Sequence, residues 1–234
     1  MISILKKILP RWLKKRIYRR VVAAYKENNR NKLGELPPFS LQKKHISNTR
    51  LLEDRIALLH LLPKNGIVAE LGVDQGDFSK EILKICAPRK LHLVDLWNSK
   101  RYNQEKRRSV EKRFEQEVDN GQVTINIGLS TEVVRDFPDN YFDWIYIDTD
   151  HSYKTTAAEL ASYLPKMKEG GIICGHDYIV GNWDGMVKYG VIEAVTEFCN
   201  KQKWEIQYLT TENNIFPSFA LKKPQSFSNK QINE

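Results

Sequence analysis

Two groups of residues in this 234-residue chain have the types and spacing to do chemistry. The first begins Glu70-Leu71-Gly72-Val73-Asp74-Gln75-Gly76-Asp77-Phe78-Ser79 and is followed by Asp95 in Val94-Asp95-Leu96-Trp97. Gly72 and Gly76 permit a tight turn and a close approach of backbone to ligand. The free N–H groups of the helix that follows suit a carboxylate, and an acid at the end of the next strand can accept hydrogen bonds from both hydroxyls of a ribose. The second group is Asp148-Thr149-Asp150-His151 together with His176-Asp177. A neutral imidazole removes protons near physiological pH, and neighbouring carboxylates can hold a divalent cation. These residues offer a nucleoside site beside an acid–base or metal cluster.

The glycine turn lacks dinucleotide spacing, because Val73, Asp74 and Gln75 separate Gly72 from Gly76. Asp74 would repel a pyrophosphate and is compatible with a sulfonium cation, so the turn suits S-adenosylmethionine better. The elements that must carry it are legible. Ile67, Val68, Ala69 and Leu71 form a strand buried on both faces. A helix follows, capped by Asp77 or Ser79, with Phe78, Ile82 and Ile85 on one face. Helices are expected over 48–62, 104–118, 131–137, 153–164 and 191–202, and strands over 123–127, 142–147, 171–175, 204–209 and 215–221. This alternation predicts a doubly wound, mainly parallel α/β sheet of seven strands that ends in an antiparallel hairpin. Parallel strands place all their carboxyl ends on one edge, so both groups should meet there. The loop from Tyr178 to Gly190, with Trp183, Asp184 and Tyr189, is expected to offer aromatic faces to an acceptor or to pack as a lid.

With 41% hydrophobic residues the chain can bury one large core. Cys86, Cys174 and Cys199 sit in apolar segments without metal-ligand spacing and read as buried thiols of a reducing compartment, giving a cytoplasmic expectation. Charge is uneven. Residues 1–34 hold eleven Lys and Arg against Glu27 alone, a net charge of +10, so the other 200 residues carry −2 of the total of +8. A near-neutral body argues against nucleic acid as an obligatory substrate. Within the tail Leu5, Leu9, Leu13, Ile17 and Val21 recur every fourth residue among basic neighbours, an amphipathic helix interrupted at Pro10. Its apolar face serves either an anionic membrane surface or packing on its own domain or a second subunit. The expected organisation is this helix over 1–34, a linker over 35–47, the α/β domain over 48–222 and a polar tail over 223–234.

The segments Glu-Leu-Gly-Val-x-x-Gly, Val-Asp-Leu-Trp, Phe-Asp-x-Ile-Tyr-Ile-Asp-x-Asp-His-Ser-Tyr and Gly-Gly-Ile-Ile-x-Gly-His-Asp-Tyr, with Gly-Val-x-x-Ala-Val-x-x-Phe, cover roughly residues 50–222. In combination they resemble class I S-adenosylmethionine-dependent methyltransferases, and more narrowly the branch of macrocin-type sugar O-methyltransferases. The resemblance implies that Glu70, Gly72, Gly76 and Ser79 contact the methionyl part of the cofactor, with Asp74 near the sulfonium and Asp148 at the same edge. It places Asp95 at the ribose and Ser130 near the adenine. It implies His151 as general base for a sugar or glycan hydroxyl, with Asp150 orienting it or binding metal. It also implies Mg²⁺ or another divalent cation on Asp148 and Asp177. His176 departs from the metal-dependent pattern, because imidazole is a poor partner for Mg²⁺; it orients a substrate hydroxyl or satisfies a buried backbone group. Two other readings stay open: a noncatalytic nucleoside-fold protein recruited through its basic tail, and a metal-dependent catechol-type enzyme acting on a small phenol.

Overall fold

The computed structural model describes residues 10–34, 36–38, 40–182, 185–212 and 216–224. Two compact units divide the chain, Met1–Pro38 and Phe39–Glu234. In the first, helix α1 (Arg11–Gly34) begins immediately after Pro10, whose carbonyl accepts from the N–H groups of Leu13 and Lys14, each at 3.1 Å. Proline is tolerated at a helix start, where its missing N–H costs no intrahelical bond. Leu5, Ile8 and Leu9 lie outside the described residues.

The second unit runs β1 (Arg50–Leu52), α2 (Arg55–Leu61), β2 (Ile67–Leu71), α3 (Asp77–Cys86), β3 (Lys90–Asp95), α4 (Gln104–Arg113), α5 (Glu115–Asp119), β4 (Val123–Ile127) and α6 (Ser130–Val133). It continues β5 (Phe142–Ile147), α7 (Tyr153–Tyr163), β6 (Met167–Gly175), β7 (Gly181–Asn182), β8 (Val187–Lys188), α8 (Val191–Gln202), β9 (Glu205–Thr210) and β10 (Phe219–Lys222). The main sheet has the order β1-β9-β10-β6-β5-β2-β3-β4. Strand β10 is antiparallel to both β6 and β9, and every other pairing in this sheet is parallel. Alternate residues of the inner strands feed two cores. Ala69, Leu71, Ile145 and Ile173 pack under α7 and α8. Val68, Leu91, Trp144 and Ile172 pack under α2, α3 and α4. Cys86, Cys174 and Cys199 are free and buried, as their apolar settings predicted.

The sheet has eight strands rather than seven. Residues 48–62 do not form one helix, because Arg50–Leu52 pairs in parallel along β9 at the sheet edge. Helix α2 starts only after Asp54, whose Oδ1 accepts from the N–H of Ala57 at 2.8 Å. Asp is a strong N-cap, and the cap decides the boundary. The expected helix over 104–118 is two helices broken at Phe114, which is buried. The stretch expected as an irregular loop contains the short antiparallel ribbon β7–β8; Trp183 and Asp184 lie outside the described residues. Of the segment expected as a linker, residues 43–45 form a 3₁₀ turn. Buried His45 places Nδ1 2.6 Å from the carbonyl of Trp204.

Candidate active site

The carboxyl ends of the parallel strands bring the two residue groups together. At the end of β2, Gly72 has φ 88°, and its N–H donates to the Val94 carbonyl at 2.8 Å. A Cβ at Gly72 would lie 1.9 Å from the carbonyl oxygen of Asp148, so the turn presses directly on the end of β5. Gly76, not Asp77 or Ser79, is the N-cap of α3, in the left-handed conformation. A side chain there would collide with the ring of Phe114, 2.7 Å from its Cβ. Ser79 points into the fold instead and donates to the carboxyl of buried Glu70. Burial raises Glu70 to about 8, against the opposing pull of that hydrogen bond.

Asp95 is turned back onto the glycine turn. Its Oδ2 accepts from the N–H groups of Val73 at 2.8 Å and Asp74 at 3.1 Å, and its Oδ1 accepts from that of Trp97 at 3.0 Å. A carboxylate has about four acceptor directions, so Asp95 braces the turn and keeps about one of them free. Asp74, expected to face a sulfonium, has its carboxylate on Lys106 Nζ. Its carbonyl accepts from the indole N–H of Trp97 at 2.9 Å.

Ser130 is buried at the start of α6, and its hydroxyl donates to Glu159. Thr149 Oγ1 donates to the other oxygen of Glu159 at 3.0 Å. Burial pushes Glu159 up to about 7 despite both bonds. Glu159 ties Ser130 to the loop after β5, and sequence reasoning missed it. A signal existed: it shares a helix face with Thr156, Leu160 and Tyr163, where an acid is out of place.

The second group closes around Asp177. Nε2 of His151 lies 3.1 Å from Asp177 Oδ2, and the His151 ring packs 4.8 Å from that of Tyr189. His151 and Asp177 both hold positive φ, 59° and 57°; these turns direct the two side chains toward one another. His176 Nδ1 stands 3.7 Å from Asp148 Oδ1 and 3.6 Å from Asp177 Oδ2. Burial acts to lower the His176 pKa, but the two acids win and raise it to about 9. At neutral pH it is therefore a cation between two carboxylates, unsuited to accept a proton. Desolvation works against the Asp148 carboxylate, and His176, His151 and Arg55 outweigh it, holding that acid below its usual range.

Several expected roles do not match these placements. Asp150 does not reach His151: its Oδ1 accepts from the N–H of Ser152 at 2.9 Å and its Oδ2 from the Thr155 hydroxyl at 2.8 Å, so it shapes the start of α7. The Tyr178 ring packs against Phe219, 5.8 Å away, on the core side. Arg55 is a residue that sequence reasoning missed. Its guanidinium lies 4.5 Å over the Phe78 ring and 3.9 Å from Asp148 Oδ2. Ninety-odd residues of sequence separate that pair, and no local pattern marks such a contact.

Asp148, His151 and Asp177 each bring one ligand atom within 4.8 Å of the others. Buried Asp177 Oδ1 has no hydrogen-bond partner among the described residues. Two carboxylates and an imidazole fit a divalent cation, and an orphaned buried acceptor is what such an ion would satisfy.

Residues 69–178 match the family model described as a methyltransferase domain. No curated protein sequence matches the chain. Among solved structures, a putative methyltransferase from Streptococcus mutans, in complex with SAH, is 14% identical with a TM-score of 0.54, over 74% of this chain and 99% of that one. A putative rRNA methylase from Clostridium thermocellum is 15% identical with a TM-score of 0.54, at the same two coverages, 74% and 99%. The pyocyanin biosynthetic protein PhzM is 12% identical with a TM-score of 0.54 over 71% of this chain, which spans about half, 54%, of PhzM. At these identities the likeness is one of fold. The second unit thus has the Rossmann-like α/β fold of these neighbours, and residues 69–178 within it resemble a methyltransferase domain.

Proposed function

We propose that the second unit transfers a methyl group from S-adenosylmethionine to a hydroxyl of a sugar or glycosylated intermediate, with His151 as the general base. One observation carries this reading. The His151 imidazole is held by Asp177 at 3.1 Å, on the sheet edge where the Gly72 turn presses against Asp148. The methyltransferase-domain match and the SAH held by the Streptococcus mutans neighbour support the donor.

In the proposed step His151 donates Nε2–H to the Asp177 carboxylate and presents Nδ1 as acceptor. The acceptor hydroxyl gives its proton to that nitrogen while its oxygen attacks the methyl carbon. The carbon–sulfur bond breaks, leaving an O-methyl ether, S-adenosylhomocysteine and an imidazolium stabilised by Asp177. The reaction is an in-line displacement, so positioning of the two reactants supplies much of the acceleration. Gly72, Gly76 and the brace of Asp95 shape the donor side. Cationic His176 helps to keep Asp148 ionised.

A second reading is favoured by the orphaned Asp177 Oδ1. Asp148, Asp177 and His151 would hold a divalent cation, which when bound makes a coordinated hydroxyl easier to deprotonate; acceptors with two adjacent oxygens, including phenols, then enter. The test combines calorimetry with S-adenosylmethionine and turnover of labelled donor against nucleotide-sugar and catechol panels, with and without chelator. The first reading expects His151→Ala to bind donor normally and lose about 10²- to 10⁴-fold in turnover, with chelator-resistant activity. Absence of donor binding by folded protein overturns both readings, and activity confined to catechols and abolished by chelation selects the second.

A further inference from the structure

We infer that α1 is a docking surface for an anionic lipid bilayer, which it meets lying in the plane of the headgroups. This goes beyond the proposed reaction and does not rest on it. Four large apolar side chains of α1 stand in solvent: Trp12 is 65% exposed, Ile17 45%, Tyr18 69% and Val21 61%. At about 100° per residue, Leu13, Ile17, Tyr18, Val21 and Val22 fall on one side of the helix. Lys15, Arg16, Arg19, Arg20, Lys26 and Arg30 fall on the other. Trp12 sits within the basic side, in a groove lined by Lys15, Arg16, Arg19 and Arg20.

The occupant is identified by needing both faces at once. A nucleic acid would engage the cations and leave Ile17 and Val21 in water. A second protein surface would take the apolar stripe and leave unused a net charge of +10 in 34 residues, when the rest of the chain carries −2. An anionic bilayer takes both: acyl chains cover the apolar side, and lipid phosphates pair with Lys and Arg at the headgroup level. Arg11 and Lys14, on the apolar side, can lay their stems along that surface and reach their charged ends back to the phosphates. Among the described residues no helix is long and apolar enough to cross a membrane, so binding would be peripheral.

The test uses the full chain with sucrose-loaded vesicles of phosphatidylcholine alone or mixed with phosphatidylglycerol, sedimented at low and high salt. The expected result is at least about tenfold more binding to the anionic vesicles, falling steeply with salt as the Debye length shortens. K15E/R19E and I17D/V21D should each lose that binding, and both should keep the unfolding midpoint of the parent. Equal binding to neutral vesicles, or no binding to either, overturns the inference. So does anionic binding that I17D/V21D leaves intact, which would mean charge alone. A vesicle-independent dimer abolished by I17D/V21D would overturn it by assigning the stripe to a second copy. Tighter binding of a DNA or RNA oligonucleotide than of anionic vesicles, insensitive to I17D/V21D, would overturn it by assigning the helix to nucleic acid.

Discussion

Gly72 shows how one residue sets the distance between the glycine turn and the acidic cluster. Its φ of 88° is open to glycine, and a Cβ would lie 1.9 Å from a backbone oxygen of Asp148. Gly72→Ala should therefore cost more than about 3 kcal/mol in chemical denaturation and weaken donor binding at least about tenfold by calorimetry. Gly121 is the control. It has φ 79°, but a Cβ there would meet nothing within 4 Å, so Gly121→Ala should cost only about 1–2 kcal/mol, the backbone strain alone, and leave donor binding unchanged. The histidines divide in the same residue-level way. His151 pairs with Asp177 at 3.1 Å and has Asp148 farther off, whereas His176 stands within 4 Å of both acids, which raise its pKa to about 9. Chemical type did not distinguish them; their acidic neighbours do.

At the scale of elements, α2 is short, seven residues, and it delivers Arg55 to Asp148. So short a helix depends on its cap, because few internal bonds offset the groups left open at its ends. Asp54→Ala should lower stability by about 1 kcal/mol, a drop of about 2–4 °C in Tm for a chain of this size. Thermal unfolding reads the first effect. A matching fall in turnover larger than the stability loss explains would show that α2 positions Arg55 at the site. The same dependence on caps explains why the expected helix over 48–62 yields a strand and a shorter helix. Likewise Phe114, drawn into the core beside Gly76, divides the charged stretch that follows β3 into two helices.

For the whole molecule, two buried acids link stability to pH. Glu70 and Glu159 rise from 4.5 to about 8 and about 7. A carboxyl whose pKa is raised by folding holds its proton more tightly in the folded state. Its contribution is complete below pH 4.5 and is lost as pH rises through the folded value. Stability should accordingly decline between about pH 4.5 and 8, and Glu159→Gln should flatten the part of that decline below about pH 7. At about 1.4 kcal/mol per tenfold change in proton affinity, the slope removed amounts to roughly 3 kcal/mol across the window. Urea denaturation at a series of pH values checks it. The two-unit organisation yields a separate expectation: removing residues 1–38 should leave the urea midpoint of the second unit unchanged, since the buried residues of both its cores begin at Leu58.

The strand-and-helix alternation, the glycine turn and the paired Asp/His strand ends were legible because they are written over short spans. Period-two burial, turn chemistry and the common edge of parallel strands need only a few neighbouring residues to declare themselves. The basic tail and the buried thiols were legible for the same reason. What joined residues distant in the chain was decided by tertiary structure alone. Arg55 on Asp148, Asp177 on His151, Glu159 between Ser130 and Thr149, and β1 against β9 are all choices of partner. Burial and charged neighbours then changed the chemistry of the partners, making His176 a cation and Glu159 a titrating acid near neutrality. A side chain's type sets what it can do, and the charges and desolvation that the fold places around it set which of those things it does.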